Sequence, residues 1–140
     1  MVELYCGSRE RRARILTGIA VRAAAREKNV LYVSFGRDNP DCGRLFETLG
    51  VTLLSSQNNS VREYFDGAVR MAITFKYHVL IFDDILDLAA EGSIPCAELL
   101  EFLSDAPDSM EVICGGETAD GRFLRLADEA VRLSDMSAEE

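Results

Sequence analysis

The apolar positions of the chain change period several times, and each change marks an element. Val2–Cys6 is a short apolar run closed by Gly7, the pattern of a strand. Between Arg11 and Glu27, residues Ile15, Leu16, Ile19, Ala20 and Ala23 recur at helical spacing. Asn29–Phe35 is almost continuously apolar, as in a strand buried on both faces. Gly36 to Pro40 has turn chemistry, and Cys42–Leu49 reads as a short helix ended by Gly50. Val51–Leu54 is a further strand, and Ser55–Asn59 a polar loop. Ser60 with Glu63 three residues on has capping-box spacing and starts a helix to about Tyr77. His78–Phe82 is a strand running into Asp83-Asp84. Two short helices flank Gly92 and Pro95. A strand over Glu111–Cys114, a helix over Ala119–Ala127 and a strand over Ala130–Leu133 complete the pattern.

Strands and helices alternate, the strands are apolar, and their connections are of helix length. This predicts an α/β fold in three layers, a mainly parallel sheet with helices on both faces. No repeat or Pro/Gly linker divides the chain, so residues 1–134 read as one domain, followed by a short acidic tail at 135–140. Ligands of such folds bind at the carboxyl ends of the strands. The informative loops are therefore those after Cys6, Phe35, Leu54, Phe82 and Cys114.

Composition narrows the function classes. With 140 residues and 48% hydrophobic content, the chain suits one globular domain. No apolar stretch approaches the roughly 20 residues of a membrane helix, and Glu3 stands where the basic region of a leader would be, so no membrane role is expected. Cys6, Cys42, Cys96 and Cys114 are scattered without a CxxC pair, which reads as reduced thiols in a cytoplasmic protein. The net charge of −9 argues against nucleic acid as a partner. That charge is uneven: +4 over residues 1–30, −5 over 31–100 and −8 over 101–140. The basic N-terminal region is either an anion site or charge contact, or a solvated helix face.

Two loops carry candidate chemistry. Gly7-Ser8-Arg9-Glu10-Arg11-Arg12-Ala13-Arg14 follows a strand and leads into a helix, the setting of a phosphate-binding P-loop, G-x-x-x-x-G-K-[ST]. Only the first Gly is present. Arg11 stands at the second Gly and adds a Cβ where backbone should close on phosphate. Arg12 stands at the Lys and keeps the charge on a larger, planar group. Ala13 stands at the Ser/Thr and lacks the hydroxyl that ligates Mg²⁺. Asp83-Asp84 ends an apolar strand at the position where a carboxylate holds that Mg²⁺, although an Asp there also serves as a helix cap. Lys28 and Lys76 are the sole lysines and neither suits a phosphoacceptor receiver domain. His78 opens a buried strand and reads as structural. Gly115-Gly116 reads as a turn. The serines have no accompanying base, and no catalytic residue is assigned.

The order of these segments resembles the P-loop ATP:corrinoid adenosyltransferases of the CobA/CobO/BtuR type, from about Val2 to Met136. Leu4-Tyr5-Cys6-Gly7 and Gly18–Ala23 are similar to that family's first strand, P-loop and following helix. Asn29–Phe35 is similar to its second strand. His78–Ile85 looks like its Walker B strand, with Gly92, Ile94, Glu98-Leu99-Leu100 and Leu103 matching the helix that follows. Glu111–Gly115 and Leu126-Ala127-Asp128 through Met136 resemble its closing segments. The resemblance implies a P-loop NTPase-like (RecA-like) sheet, a homodimer, and transfer of the 5′-deoxyadenosyl group of ATP to Co(I) of a corrinoid. It also implies a phosphate cradle over Gly7, Ser8, Arg9, Arg11, Arg12, Ala13 and Arg14, with Mg²⁺ at Asp83 and Asp84.

The departures from the family fall at the reacting parts. Besides the P-loop changes, the aromatic segment near the corrinoid falls on Ser55–Asn59 in a chain without Trp, and Gly116 replaces an Arg. Losing one preorganised electrostatic donor lowers a rate by roughly a hundredfold or more. The expectation is a degenerate member with weak or no adenosyl transfer. The alternative is a non-catalytic homodimeric module that binds an anion, a nucleotide or another phosphate-bearing ligand through its arginines.

Overall fold

A computed structural model describes residues 1–35, 40–56 and 60–134 of the chain. Among them is one six-stranded sheet, ordered β3-β2-β4-β5-β1-β6, in which every pairing is parallel. The strands are β1 (Val2–Cys6), β2 (Val30–Phe35), β3 (Thr52–Ser56), β4 (Val79–Phe82), β5 (Glu111–Gly116) and β6 (Glu129–Arg132). The helices are α1 (Arg9–Ala25), α2 (Pro40–Leu49), α3 (Val61–Thr74), α4 (Ile85–Ala90), α5 (Cys96–Asp105) and α6 (Gly121–Leu126).

Alternating side chains of the strands feed two cores. On one face Leu31, Val33, Leu80, Phe82, Val112 and Cys114 pack with α3, α4, α5 and α6. On the other Val30, Tyr32, Val79, Ile81 and Ile113 pack with Leu16 and Ala20 of α1 and Phe46 of α2. Strands buried on both sides read as unbroken apolar runs, which is why β2 and β4 stand out in the sequence. The three-layer α/β expectation therefore holds, with the sheet wholly parallel. Ser60 caps α3 as its spacing requires, its hydroxyl accepting from the Glu63 N–H at 3.3 Å. The turn at Gly36, most of the loop at Ser55–Asn59, and the acidic tail with Met136 fall on residues outside those described. No described helix is long and apolar enough to cross a membrane.

After β1 the chain passes to the α1/α2 face, and after β4 it passes to the opposite face. The carboxyl ends of β1, β5 and β4 thus border the crevice where crossovers part, the usual ligand position in open parallel sheets.

Candidate functional site

Two residues after β1, the chain is already helical. Ser8 is the N-cap of α1, its hydroxyl accepting from the Arg11 N–H at 3.4 Å, and the Arg12 N–H bonds to the Ser8 carbonyl at 3.0 Å. The helix expected from Arg11 starts at Arg9, so the run read as a loop over Gly7–Arg14 is mostly helix. The residues explain it: Arg, Glu and Ala are strong helix formers, and no second Gly supplies an open loop conformation. Ala13 is half-buried on this first stretch of α1. Arg14 points outward and meets Glu10 at 3.4 Å, both side chains about four-fifths exposed. Arg11 is also exposed.

Arg12 does the opposite. It is fully buried, among the largest side chains with no solvent contact. Its Nε donates to the Gly7 carbonyl at 2.9 Å and its Nη2 to Asp84 Oδ1 at 2.9 Å. Nη1 reaches Asp83 Oδ1 at 3.4 Å, and Nη2 lies 3.5 Å from Asp87 Oδ2. Asp83 and Asp84 are each 3% exposed. Arg9, half-exposed, adds its Nε to Asp84 Oδ1 at 3.4 Å from the rim. The Tyr32 hydroxyl faces Asp83 Oδ2 at 3.5 Å.

The backbone is shaped around this cluster. Asp84 occupies the N-cap position of α4 but makes no capping bond. It sits instead in the left-handed region at φ 64°, a conformation Asp tolerates better than most residues and one usually kept for a reason. Its carboxylate goes to the arginines. Gly115 and Gly116, which read as a turn, close β5 and clear the space beside it. A Cβ on Gly115 would lie 3.3 Å from Arg12 Nη1, and one on Gly116 would lie 2.5 Å from the Leu86 Cβ. The Gly7 N–H bonds to the Gly116 carbonyl at 3.0 Å, tying β1 to β5 at the mouth of the crevice.

The structure thus gathers Gly7, Arg9, Arg12, Asp83 and Asp84 in one place and leaves Arg11 and Arg14 facing outward. Asp87, absent from the sequence-derived site, belongs to the cluster, and its Oδ1 also accepts the Glu117 N–H at 2.9 Å. The signal was there: Asp87 falls in the first turn of the helix that begins directly after Asp83-Asp84. One acceptor stays unused, because Asp84 Oδ2 is buried with no hydrogen-bond partner. Among the described residues no three His, Cys, Asp or Glu side chains are grouped to hold a metal ion.

Nearby thiols are quiet. Burial pushes the Cys6 thiol upward, with Asp87 adding to the shift and Arg12 and Arg132 opposing it. Burial alone carries most of the rise of Cys114 to about 12. His78 is structural as expected, its Nδ1 accepting from the Asn29 N–H at 2.9 Å.

Comparison with known proteins places this geometry in a lineage. The family described as ATP:corrinoid adenosyltransferase BtuR/CobO/CobP matches residues 1–138. No curated protein matches the chain.

Proposed function

The chain belongs to the ATP:corrinoid adenosyltransferase BtuR/CobO/CobP family, and from that premise we propose that it is a member whose phosphate site is closed by its own arginine. One observation carries the reading: the guanidinium of Arg12, at the position of the P-loop lysine, is fully buried between the Gly7 carbonyl, Asp83 and Asp84. In this reading Arg12 bars MgATP in two ways. Its charge neutralises the carboxylates that Mg²⁺ would meet, and its bulk takes the space of a phosphate.

The residues present fit MgATP poorly. Two of the backbone N–H groups of this run are already engaged, that of Arg11 by the Ser8 hydroxyl and that of Arg12 by the Ser8 carbonyl. Ala13 offers a methyl group where Mg²⁺ needs a hydroxyl. Withdrawing Arg12 would strand two buried carboxylates, at a cost of about 3–5 kcal/mol, or roughly two to four orders of magnitude in Kd. Against this stands Asp84 Oδ2, the single acceptor of the cluster recorded without a donor. One unused oxygen is too little to define a metal site.

Adenosyl transfer from ATP to a corrinoid is therefore weak or lost in this member, and its role is that of a binding or regulatory module. The homodimer typical of the family and a cytoplasmic location belong to the same proposal, the latter supported by the free thiols Cys6, Cys96 and Cys114. The test is calorimetric titration of MgATP into the nucleotide-free protein, with and without Mg²⁺, followed by an assay for adenosylated corrinoid from Co(I). Absence of heat and of product is expected. Mg²⁺-dependent micromolar binding with turnover would overturn the reading.

A further inference from the structure

On the opposite sheet face, α3 and α5 leave between them a groove of ≈ 430 Å³. Its floor is apolar. Phe65 of α3 and Phe102 of α5 stand edge to face with centroids 6.2 Å apart, and Val69 continues the strip. Phe82 of β4 backs them from the core, 5.4 Å from Phe65 and 6.2 Å from Phe102. Positions 62, 66, 69 and 73 share one flank of α3. The apolar line therefore runs on to Ile73, which is 49% exposed.

The rim is acidic. Asp66, Glu98, Glu101 and Asp105 surround the floor against one cation, Arg62. Arg62 pairs with Glu98, which shows what this rim accepts. No ion pair recorded among the described residues engages Asp66, Glu101 or Asp105.

We propose that this groove docks a cationic amphipathic helix of a partner protein, with apolar side chains on the Val69–Ile73–Phe102 strip and Arg or Lys on the rim. A trough between two helices with an apolar floor fits a third helix, read at i, i+3/i+4 and i+7 spacing. Charge selects the occupant, since three unpaired carboxylates repel an anionic segment, a nucleic acid or an anionic membrane. A second copy fits less well. The cationic helix of this chain, α1, lies on the other sheet face. Self-docking would therefore be head-to-tail and open-ended, between copies of net charge −9 each.

The test is fluorescence anisotropy with the full chain and a labelled synthetic peptide of about 14 residues, matched in length to α3, with Leu on one face and Arg on the other. Saturable binding is expected. It should weaken by about tenfold or more with E101K/D105K, and equally when the peptide leucines become serines. E27K/E47K, a reversal of two exposed acids on the opposite side of the sheet, should leave it unchanged. Equal weakening by both charge reversals would overturn the proposal in favour of nonspecific attraction, and absence of saturable binding would overturn it outright. Sedimentation of the protein alone separates the last case: self-association abolished by E101K/D105K would make a second copy the occupant.

Discussion

Arg12 Nη2 and Asp84 Oδ1 meet at 2.9 Å across 72 positions of chain, with both side chains removed from solvent. This contact joins the first turn of α1 to the end of β4. Removing one member strands the other. Arg12→Ala is expected to destabilise the fold by about 3–5 kcal/mol, measured by urea denaturation. Asp84→Asn in the R12A background should recover part of the loss, with a coupling of about 1–3 kcal/mol in the double-mutant cycle. Additive effects would mean that the pair contributes no interaction of its own.

Restoring the P-loop residue types tests the closed-site reading from the other side. R11G/R12K/A13T returns the second Gly, the ammonium and the hydroxyl together. Mg²⁺-dependent ATP binding should emerge or tighten by about tenfold or more relative to the natural chain, read by calorimetry. No gain would mean that the crevice is lost for reasons beyond these three side chains.

Gly116 predicts an asymmetry. The family has Arg at this turn, yet here a Cβ would press to 2.5 Å from the Leu86 Cβ and 3.2 Å from Asp87 Oδ1. Gly116→Arg, although it restores the family type, is expected to lower stability by about 1–3 kcal/mol rather than to bring activity, as overpacking does. A thermal melt unchanged from the natural chain would contradict this.

Glu3 supplies a pH dependence. Burial raises its carboxyl above the ordinary value of 4.5, the Tyr5 hydroxyl offsets part of that, and Glu111 and Glu129 add repulsion. A raised carboxyl holds its proton more tightly in the folded chain. Its contribution is fully present in acid, below the ordinary value, and is lost as pH rises through the raised one. Glu3→Gln should therefore raise Tm at neutral pH and make no difference below 4.5. A Tm difference independent of pH would sink the assignment.

Much of this architecture is written in the apolar pattern. β2 and β4, buried on both faces, are unmistakable as unbroken runs, and Ser60 with Glu63 marks the start of α3 to the residue. The start of α1 was less visible, because the likeness of Gly7–Arg14 to a P-loop competed with the helix propensity of the same residues, and propensity with the Ser8 cap prevailed. The roles within the site were least legible. Spacing places Arg12 opposite a strand ending in Asp83-Asp84, but whether a guanidinium turns outward to a ligand or inward to a carboxylate depends on three-dimensional packing. The clearance left by Gly115 and the left-handed turn at Asp84 are what the pattern could not convey.

The position of β1 within the sheet has a consequence for how the molecule is made. β1 lies between β5 and β6 and pairs with no strand encoded before residue 111. The Met1 amine donates to the Met110 carbonyl at 3.1 Å, and the Val2 N–H to Asp128 Oδ2 at 2.7 Å. On a ribosome that extends the chain by about 5–20 residues per second, β1 waits roughly 5–20 s for its first neighbour. Arg12 waits less long, since Asp83 and Asp84 follow it by 71 and 72 positions, roughly 4–14 s at the same rate. The nascent chain therefore carries an unpaired apolar strand until β5 has been synthesised, and for the earlier part of that time Arg12 also lacks its carboxylates, the interval in which a chaperone has most to protect.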